Sequence, residues 1–317
     1  MRRLALVVLL LGGCSAEVQV GGPDGTAVLQ EIVDEARRIP NRTGWFEILA
    51  LPNRVYALWE PGHFDRVNSF FVVGTKQHLL YDTGLGIASI RAAIDDLIRE
   101  EGLAELPIMV VNSHNHLDHN GGNKEFPEIY TVDDPWARER LTQGLPVGAF
   151  TDYWGQMTGH PGVSVPEDFD PATHATPPYP LDRVRFLADG EVIDLGDRSL
   201  RVLRTYSHSP DGIALHDEDN ELFFGGDAFY GAKYLVIDLP LLAADLARTQ
   251  HLAVRWHYSS HGTQLVSAMQ HGRHLAVVER MQAGEGDESQ GEFAGVSLPV
   301  LELDGVQVTL APDVLVY

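Results

Sequence analysis

His114-Asn115-His116-Leu117-Asp118-His119 sets four side chains of metal-ligand type within six residues, directly after the apolar run Pro107-Ile108-Met109-Val110-Val111. That run reads as a buried strand, so the ligand cluster falls where the strand ends. His114 and His116, two residues apart, can share one side of an extended chain, while Asp118 and His119 can turn toward a second ion. Neutral imidazoles and a carboxylate are the donors that a borderline cation such as zinc takes. For any one of these histidines a polar loop without metal is the plainer reading; four ligands at this spacing turn the balance.

Three later segments place ligand-type residues at strand ends in the same way. His208 follows Val202-Leu203-Arg204-Thr205-Tyr206-Ser207, Asp227 follows Leu222-Phe223-Phe224-Gly225-Gly226, and His261 follows Tyr258-Ser259-Ser260. Upstream, Leu79-Leu80-Tyr81 ends at Asp82. Singly, Asp-Thr-Gly and Gly-Asp are turn formers and a lone histidine can simply lie at the surface; their joint occurrence in this order is not expected by chance.

The surrounding pattern alternates sheets and helices. Val28, Leu29, Ile32, Val33 and Ala36 recur at helical spacing until Pro40. Short runs at Trp45 to Leu51, Arg54 to Trp59, Val67 to Val73 and His78 to Tyr81 read as antiparallel strands between Pro-Asn, Pro-Gly and Gly-Thr breaks. Ile87, Ile90, Ile94, Leu97 and Ile98 mark a helix that Gly102 ends. A similar order recurs with strands from Val184 to Thr205 and Ile213 to Gly225, a helix near Leu241 to Ala253 and a strand near Val254 to Tyr258. Two sheets, each backed by helices, predict one domain with its site at the shared sheet edge.

On these residues the chain resembles the metallo-β-lactamase fold superfamily, over roughly Trp45 to Gly262. The resemblance implies an αββα sandwich of two mixed sheets flanked by helices. It further implies that His114, His116 and His208 hold one metal, that Asp118, His119 and His261 hold the second, and that Asp227 bridges them. Asp82 would orient a ligand imidazole from behind. Two zinc ions are the implied cofactors, with iron or manganese as other divalent choices. Zinc-bound water can have a pKa near ~7, which supplies hydroxide for metal-assisted hydrolysis, with Asp118 orienting it. Esters, thioesters, lactones, β-lactams and phosphodiesters are the candidate substrates, and the fold alone does not choose.

A bridging Asp227 is similar to the hydroxyacylglutathione hydrolases and acyl-homoserine lactonases. Gly226-Asp227-Ala228-Phe229-Tyr230 looks like the lactonase pattern, in which a tyrosine three residues past the aspartate donates to an oxyanion; packing beside the site is the other reading of Tyr230. His257, inside a strand run, reads as a core histidine or one behind the ligands. The leading expectation is hydrolysis of an ester, thioester or lactone. An envelope β-lactamase, for which Lys233 could bind a carboxylate, and a mononuclear-iron persulfide dioxygenase-like oxidoreductase are the alternatives.

Composition sets the outer bounds. With 317 residues, 44% of them hydrophobic, the chain can bury a sizeable core. Its formal charge of −22, with Lys76, Lys124 and Lys233 as its only lysines, argues against nucleic acid as a partner and leaves a small-molecule substrate. Arg2 and Arg3, the apolar stretch Leu4 to Leu11 and Gly12-Gly13-Cys14 read as a targeting segment. Leu11-Gly12-Gly13-Cys14 resembles the bacterial lipoprotein signal, so residues 1–13 are expected to be cleaved and 14–27 to tether the domain to the envelope, facing the periplasm. An ordinary secretory signal with a soluble product is the alternative. Cys14 is the only cysteine, which excludes an intramolecular disulfide and a thiolate nucleophile.

The catalytic domain is expected over 28–317, with an insertion at 135–183. Residues 135–180 hold 8 of the 18 prolines together with Trp136, Phe150, Tyr153, Trp154, Met157 and Tyr179. Stiff and aromatic, the insertion predicts a pocket over the metal mouth, or else a flap packed elsewhere. Past Gly262, a helix from Gln264 to Met281, an acidic loop from Ala283 to Gly291 and a hairpin around Asp304-Gly305 are expected to complete or cover a sheet edge.

Overall fold

Alternating side chains along each strand divide the interior into layers. The structure, a computed structural model, describes residues 26–229, 231–267, 270–293 and 296–311. The targeting segment, Cys14 and Tyr230 therefore lie outside the described residues. The first sheet follows helix α1 (Thr26–Glu35) and runs in chain order: β1 (Arg38–Ile39), β2 (Glu47–Leu51), β3 (Val55–Trp59), β4 (Asn68–Val72), β5 (His78–Tyr81), β6 (Ile108–Val111), β7 (Ile129–Val132) and β8 (Val184–Leu187). Pairing is antiparallel as far as β5 and parallel from β5 to β8. The change comes where crossovers replace turns: α2 (Ile90–Glu101), then α3 (Leu117–Asn120), then α4 (Pro135–Gln143) with α5 (Thr151–Trp154).

The second sheet contains β9 (Val192–Asp194), β10 (Ser199–Thr205), β11 (Gly212–Asp217) and β12 (Leu222–Phe224). The chain then leaves it through β13 (Lys233–Val236) and α6 (Leu239–Thr249), and returns as β14 (Trp256–Tyr258) and β15 (Leu265–Val266). Leu49, Phe70, Leu79 and Tyr81 pack against Leu200, Ile213, Leu215 and Phe224 between the two sheets. Their strand neighbours Ile48, Phe71 and Leu80 face the other way, onto Ile90, Ile94 and Leu97 of α2. On the far side, Phe223 and Ala214 meet Leu242 and Leu246 of α6 and Val278 of α7 (Gln270–Gln282). The result is the expected αββα order, produced by period-two alternation on both sheets.

Helix α2 shows how closely local sequence sets these bounds. Ser89 Oγ accepts the Ala92 N–H at 3.0 Å at its start, and Gly102, at φ 61°, returns its N–H to Arg99 O at its end.

Four expectations change. Val184 to Leu187 does not open the second sheet but closes the first, paired in parallel with β7. Val28, counted toward the apolar face of α1, is 46% exposed. The helix expected from Gln264 begins only at Gln270, because Leu265 and Val266 pair with Tyr258 and His257. The acidic stretch read as a loop contains β16 (Asp287–Phe293). It pairs with β17 (Val296–Leu303), which forms the expected hairpin with β18 (Val306–Leu310); with β13 these make a third sheet in the order β13-β18-β17-β16. An edge strand bonded through its backbone on one side keeps exposed, charged side chains, which is why its hydrophobicity gave no strand signal.

Candidate metal centre

Five strands end at one edge of the sandwich, and each delivers a polar residue there. β5 ends in Asp82, β6 runs into His114 to His119, β10 into His208, β12 into Asp227 and β14 into His261. Two turns set the approach. Asp82 sits at φ 68° and Gly226 at φ 55°; a side chain on Gly226 would lie 3.1 Å from Tyr81 Oη and Ser113 Cβ, so glycine lets the Asp227 turn close against the first sheet.

The seven residues form two groups of donor atoms, each within 4.8 Å: His114, His116 and His208, then Asp118, His119, Asp227 and His261. In the first, His116 Nδ1 lies 2.8 Å from His114 Nε2 and 3.0 Å from His208 Nε2. In the second, His119 Nε2 lies 3.1 Å from Asp118 Oδ2 and 3.3 Å from His261 Nε2. Asp227 stands between the groups, with Oδ2 3.1 Å from His261 Nε2 and 3.6 Å from His208 Nε2, and Oδ1 3.4 Å from His119 Nε2.

The outer faces of the imidazoles fix which nitrogen points inward. His119 Nδ1 donates to Asp82 Oδ2 at 2.9 Å, His208 Nδ1 to Leu235 O at 2.8 Å and His261 Nδ1 to Asp65 O at 2.9 Å. In the neutral ring each therefore aims an Nε2 lone pair at the others. Lone pairs about 3 Å apart repel unless a cation or proton lies between them. The Asp227 Oδ1 atom is buried without a hydrogen-bond partner, in keeping with a position meant for a cation. Imidazole nitrogens are borderline donors and carboxylate oxygens hard ones, a mixture that fits one or two divalent metals.

Electrostatics divides the two groups. Burial and neighbouring imidazoles hold His114 and His116 well below the ordinary histidine range, so their lone pairs stay available. Burial would also lower His261, but the Asp227 carboxylate overrides it and pushes the ring up to about 10. His119 is likewise raised well above its ordinary value by Asp118 and Asp227 against burial. Two carboxylates facing two imidazoles thus demand positive charge, supplied by protons or by metal.

Other buried groups tie the ligand loops down. Asp82 Oδ1 accepts Ser113 N at 2.6 Å. Asp211 accepts Asn115 N at 3.0 Å, Asn115 Nδ2 at 2.6 Å and Ser209 Oγ at 2.8 Å, joining the first motif to the His208 loop. Asp245, on α6, accepts Tyr206 N and Ser207 N, both at 2.8 Å. Glu60 accepts Leu85 N at 2.9 Å and Trp45 Nε1 at 2.6 Å beneath the Asp82 turn. Sequence reading missed all of these except Asp82. Ser-Pro-Asp at 209–211 was a usable signal, whereas the Leu235 and Asp65 carbonyls leave none. His257 is buried against Phe223 and His271, a core position.

The insertion has two parts. Trp136 meets the His116 ring edge-on at 5.4 Å, at the mouth. Residues 153–158 run along 62–65: Phe64 N donates to Gln156 O at 3.1 Å, Thr158 N to Gly62 O at 2.8 Å, and Tyr153 Oη bonds to Asp65. Tyr153, Trp154 and Tyr179 are buried in the core that backs the first sheet. Its aromatic anchors Tyr153, Trp154 and Tyr179 are thus packed structure, most of the rest of the segment is exposed or half-buried, and Trp136 on its first helix meets the ligand His116.

This fold and this edge define a metal-dependent hydrolase of the metallo-beta-lactamase superfamily, to which the chain belongs; the family's model matches residues 62–268. Among curated relatives, the acyl-coenzyme A thioesterase MBLAC2 of Gallus gallus is 32% identical over 199 residues, covering 60% of this chain and 68% of that one. The Homo sapiens counterpart is 32% identical over 180 residues, 54% of this chain and 61% of its own length. Among solved structures, a beta-lactamase domain protein from Burkholderia ambifaria aligns with a TM-score of 0.54 at 20% identity, covering 77% of each chain. MIM-2 metallo-beta-lactamase aligns at 0.52 and 16% identity, covering 81% of this chain and 97% of that one. These likenesses concern the fold.

Proposed function

We propose that the chain is a dinuclear-metal acyl thioester hydrolase, with zinc as the metal pair. The observation that carries the reading is the convergence of five inward-facing imidazoles and two carboxylates in two adjoining groups, with Asp227 between them. The thioester among the possible acyl substrates is supported by relatives named acyl-coenzyme A thioesterase. His114, His116 and His208 would hold one ion, Asp118, His119 and His261 the other, and Asp227 both. Bound there, the ions supply acidified water at neutral pH and Lewis-acid polarisation of a carbonyl.

The chain's own residues supply the rest. Asp118, at the edge of the site and only 8% exposed, accepts a hydrogen bond from the attacking water and takes its proton. Attack forms a C–O bond; collapse breaks the C–S bond, and the proton leaves with the thiolate. Trp136 gives the mouth an apolar wall for the acyl group. Tyr230, whose placement is not described, is proposed as the oxyanion donor. On that account Tyr230→Phe lowers kcat by roughly 10- to 1000-fold without loss of metal, and an unchanged kcat returns it to packing.

The test is thiol release from acyl-coenzyme A esters beside lactone and β-lactam hydrolysis by the same sample. The proposal expects the thioester to be the best substrate by kcat/KM; a clear preference for a lactone or β-lactam contradicts it. A bacterial envelope location through lipidated Cys14 is proposed separately. Cys14→Ser should then release the protein from membranes or leave it unprocessed, and soluble wild-type protein lacking Cys14 would refute the anchor.

A further inference from the structure

Beside the ligand loop lies a cleft that the hydrolytic step does not use. One wall comes from that loop, with Asn115, Asn120 and Lys124; the other comes from the insertion, with Arg140, Thr176 and Tyr179. The cleft is narrow, with a cavity volume of about 30 Å³, opens to solvent, and has no acidic side chain in its lining. Arg140 lies over the Trp136 ring at 4.8 Å, and Trp136 touches His116, so the cleft adjoins the metal mouth.

Its charge runs against the molecule. The chain has 45 acids and 23 lysines and arginines, yet neither Lys124 nor Arg140 forms an ion pair among the described residues. The acids that act on Arg140 from a distance are its neighbour Glu139 and Asp211, and Asp211 is already bonded to Asn115 and Ser209. Beyond Lys124 the next hollow carries Asp168 and Asp170, which ends the cationic stretch. A half-buried guanidinium and an exposed ammonium without acids in the same lining suit an anion that brings its own charge. The guanidinium fork matches phosphate oxygens in pairs, and the lysine adds a point charge.

We propose that the mouth of this cleft binds a phosphate group of a phosphorylated thiol carrier, through Lys124 and Arg140, while the thioester reaches the metal edge past Trp136. The inference rests on the thioesterase reading and extends it to the leaving group. A chain so negative overall repels polyphosphates at long range, so a phosphorylated substrate requires a local site of this kind.

Two measurements on the metal-loaded protein test it. The first is calorimetric binding of free coenzyme A to wild type, Lys124→Gln and Arg140→Gln, with each variant expected to bind roughly tenfold more weakly. Lys124 is exposed, so its variant tests the charge without disturbing packing. The second is the ratio of kcat/KM for one acyl group carried on coenzyme A and on N-acetylcysteamine, which has no phosphate. That ratio should fall by roughly tenfold in each variant. Failure of wild type to bind coenzyme A, equal binding by all three proteins or an unchanged ratio overturns the proposal. Failure of wild type to cleave either thioester refutes the thioesterase reading instead, and the binding series still decides the cleft.

Discussion

Asp82 shows how much of the centre depends on atoms behind the ligands. One carboxylate oxygen takes the His119 Nδ1–H and the other takes Ser113 N, so a single side chain sets both the ring and the strand end that carries the motif. Asp82→Asn keeps the shape and tolerates the left-handed backbone but removes the charge. Metal affinity, read by competition with a chromogenic chelator, should fall by roughly 10- to 100-fold; unchanged affinity would show that His119 is positioned by packing alone. The convergence of the seven candidate ligands and Asp82 was legible in sequence because each follows a strand and strand ends recur at one edge. The partners of His208 and His261 were not, since a backbone carbonyl belongs to any residue and only the fold brings Leu235 and Asp65 into place.

Among the elements, the insertion differs most from its sequence reading. Proline and aromatic content suggested a pocket, whereas the aromatic Tyr153 and Trp154 are buried on the first sheet, and the Tyr153 hydroxyl holds the segment whose carbonyl orients His261. Tyr153→Phe should therefore loosen the Asp118, His119 and His261 group. A several-fold loss of affinity for the second metal equivalent, with the first unchanged, is the expected titration; equal loss at both would indicate general destabilisation. The third sheet was missed for the opposite reason, because an acidic edge strand lacks the alternation by which strands are recognised.

Helix α7 carries a further consequence for stability. His271 and His274 are buried on it, and burial lowers both to about 4. In the unfolded chain each takes up its proton near pH 6.5, whereas the fold keeps it neutral until about pH 4. The unfolded state then binds more protons across that window, so stability falls as pH drops through it. Denaturant titrations should show a loss of a few kcal/mol between pH 6.5 and 4, with a shallower slope in His271→Gln. An equal slope would assign acid sensitivity to other groups.

At the scale of the whole molecule, two sheets turn their inner faces to each other and their strand ends to one edge, so residues as distant as Asp118 and His261 meet there. The net charge of −22 argues against nucleic acid as a partner, and it makes the cationic cleft beside the candidate ligands stand out. Sequence alone reached the layers and the edge because both follow from periodicity and order. The substrate side of the site depends on how the insertion folds back, which periodicity does not encode.

The central claim is that hydrolysis belongs to two ions held by these seven residues. Protein stripped by a chelator and reloaded with zinc in measured steps, assayed by thiol release from an acyl-coenzyme A ester, tests it most directly. The account predicts loss of activity on stripping and recovery that is complete at two equivalents per chain, with no recovery in His116→Ala at that loading. Full activity in the stripped protein, or complete recovery at one equivalent, would contradict it.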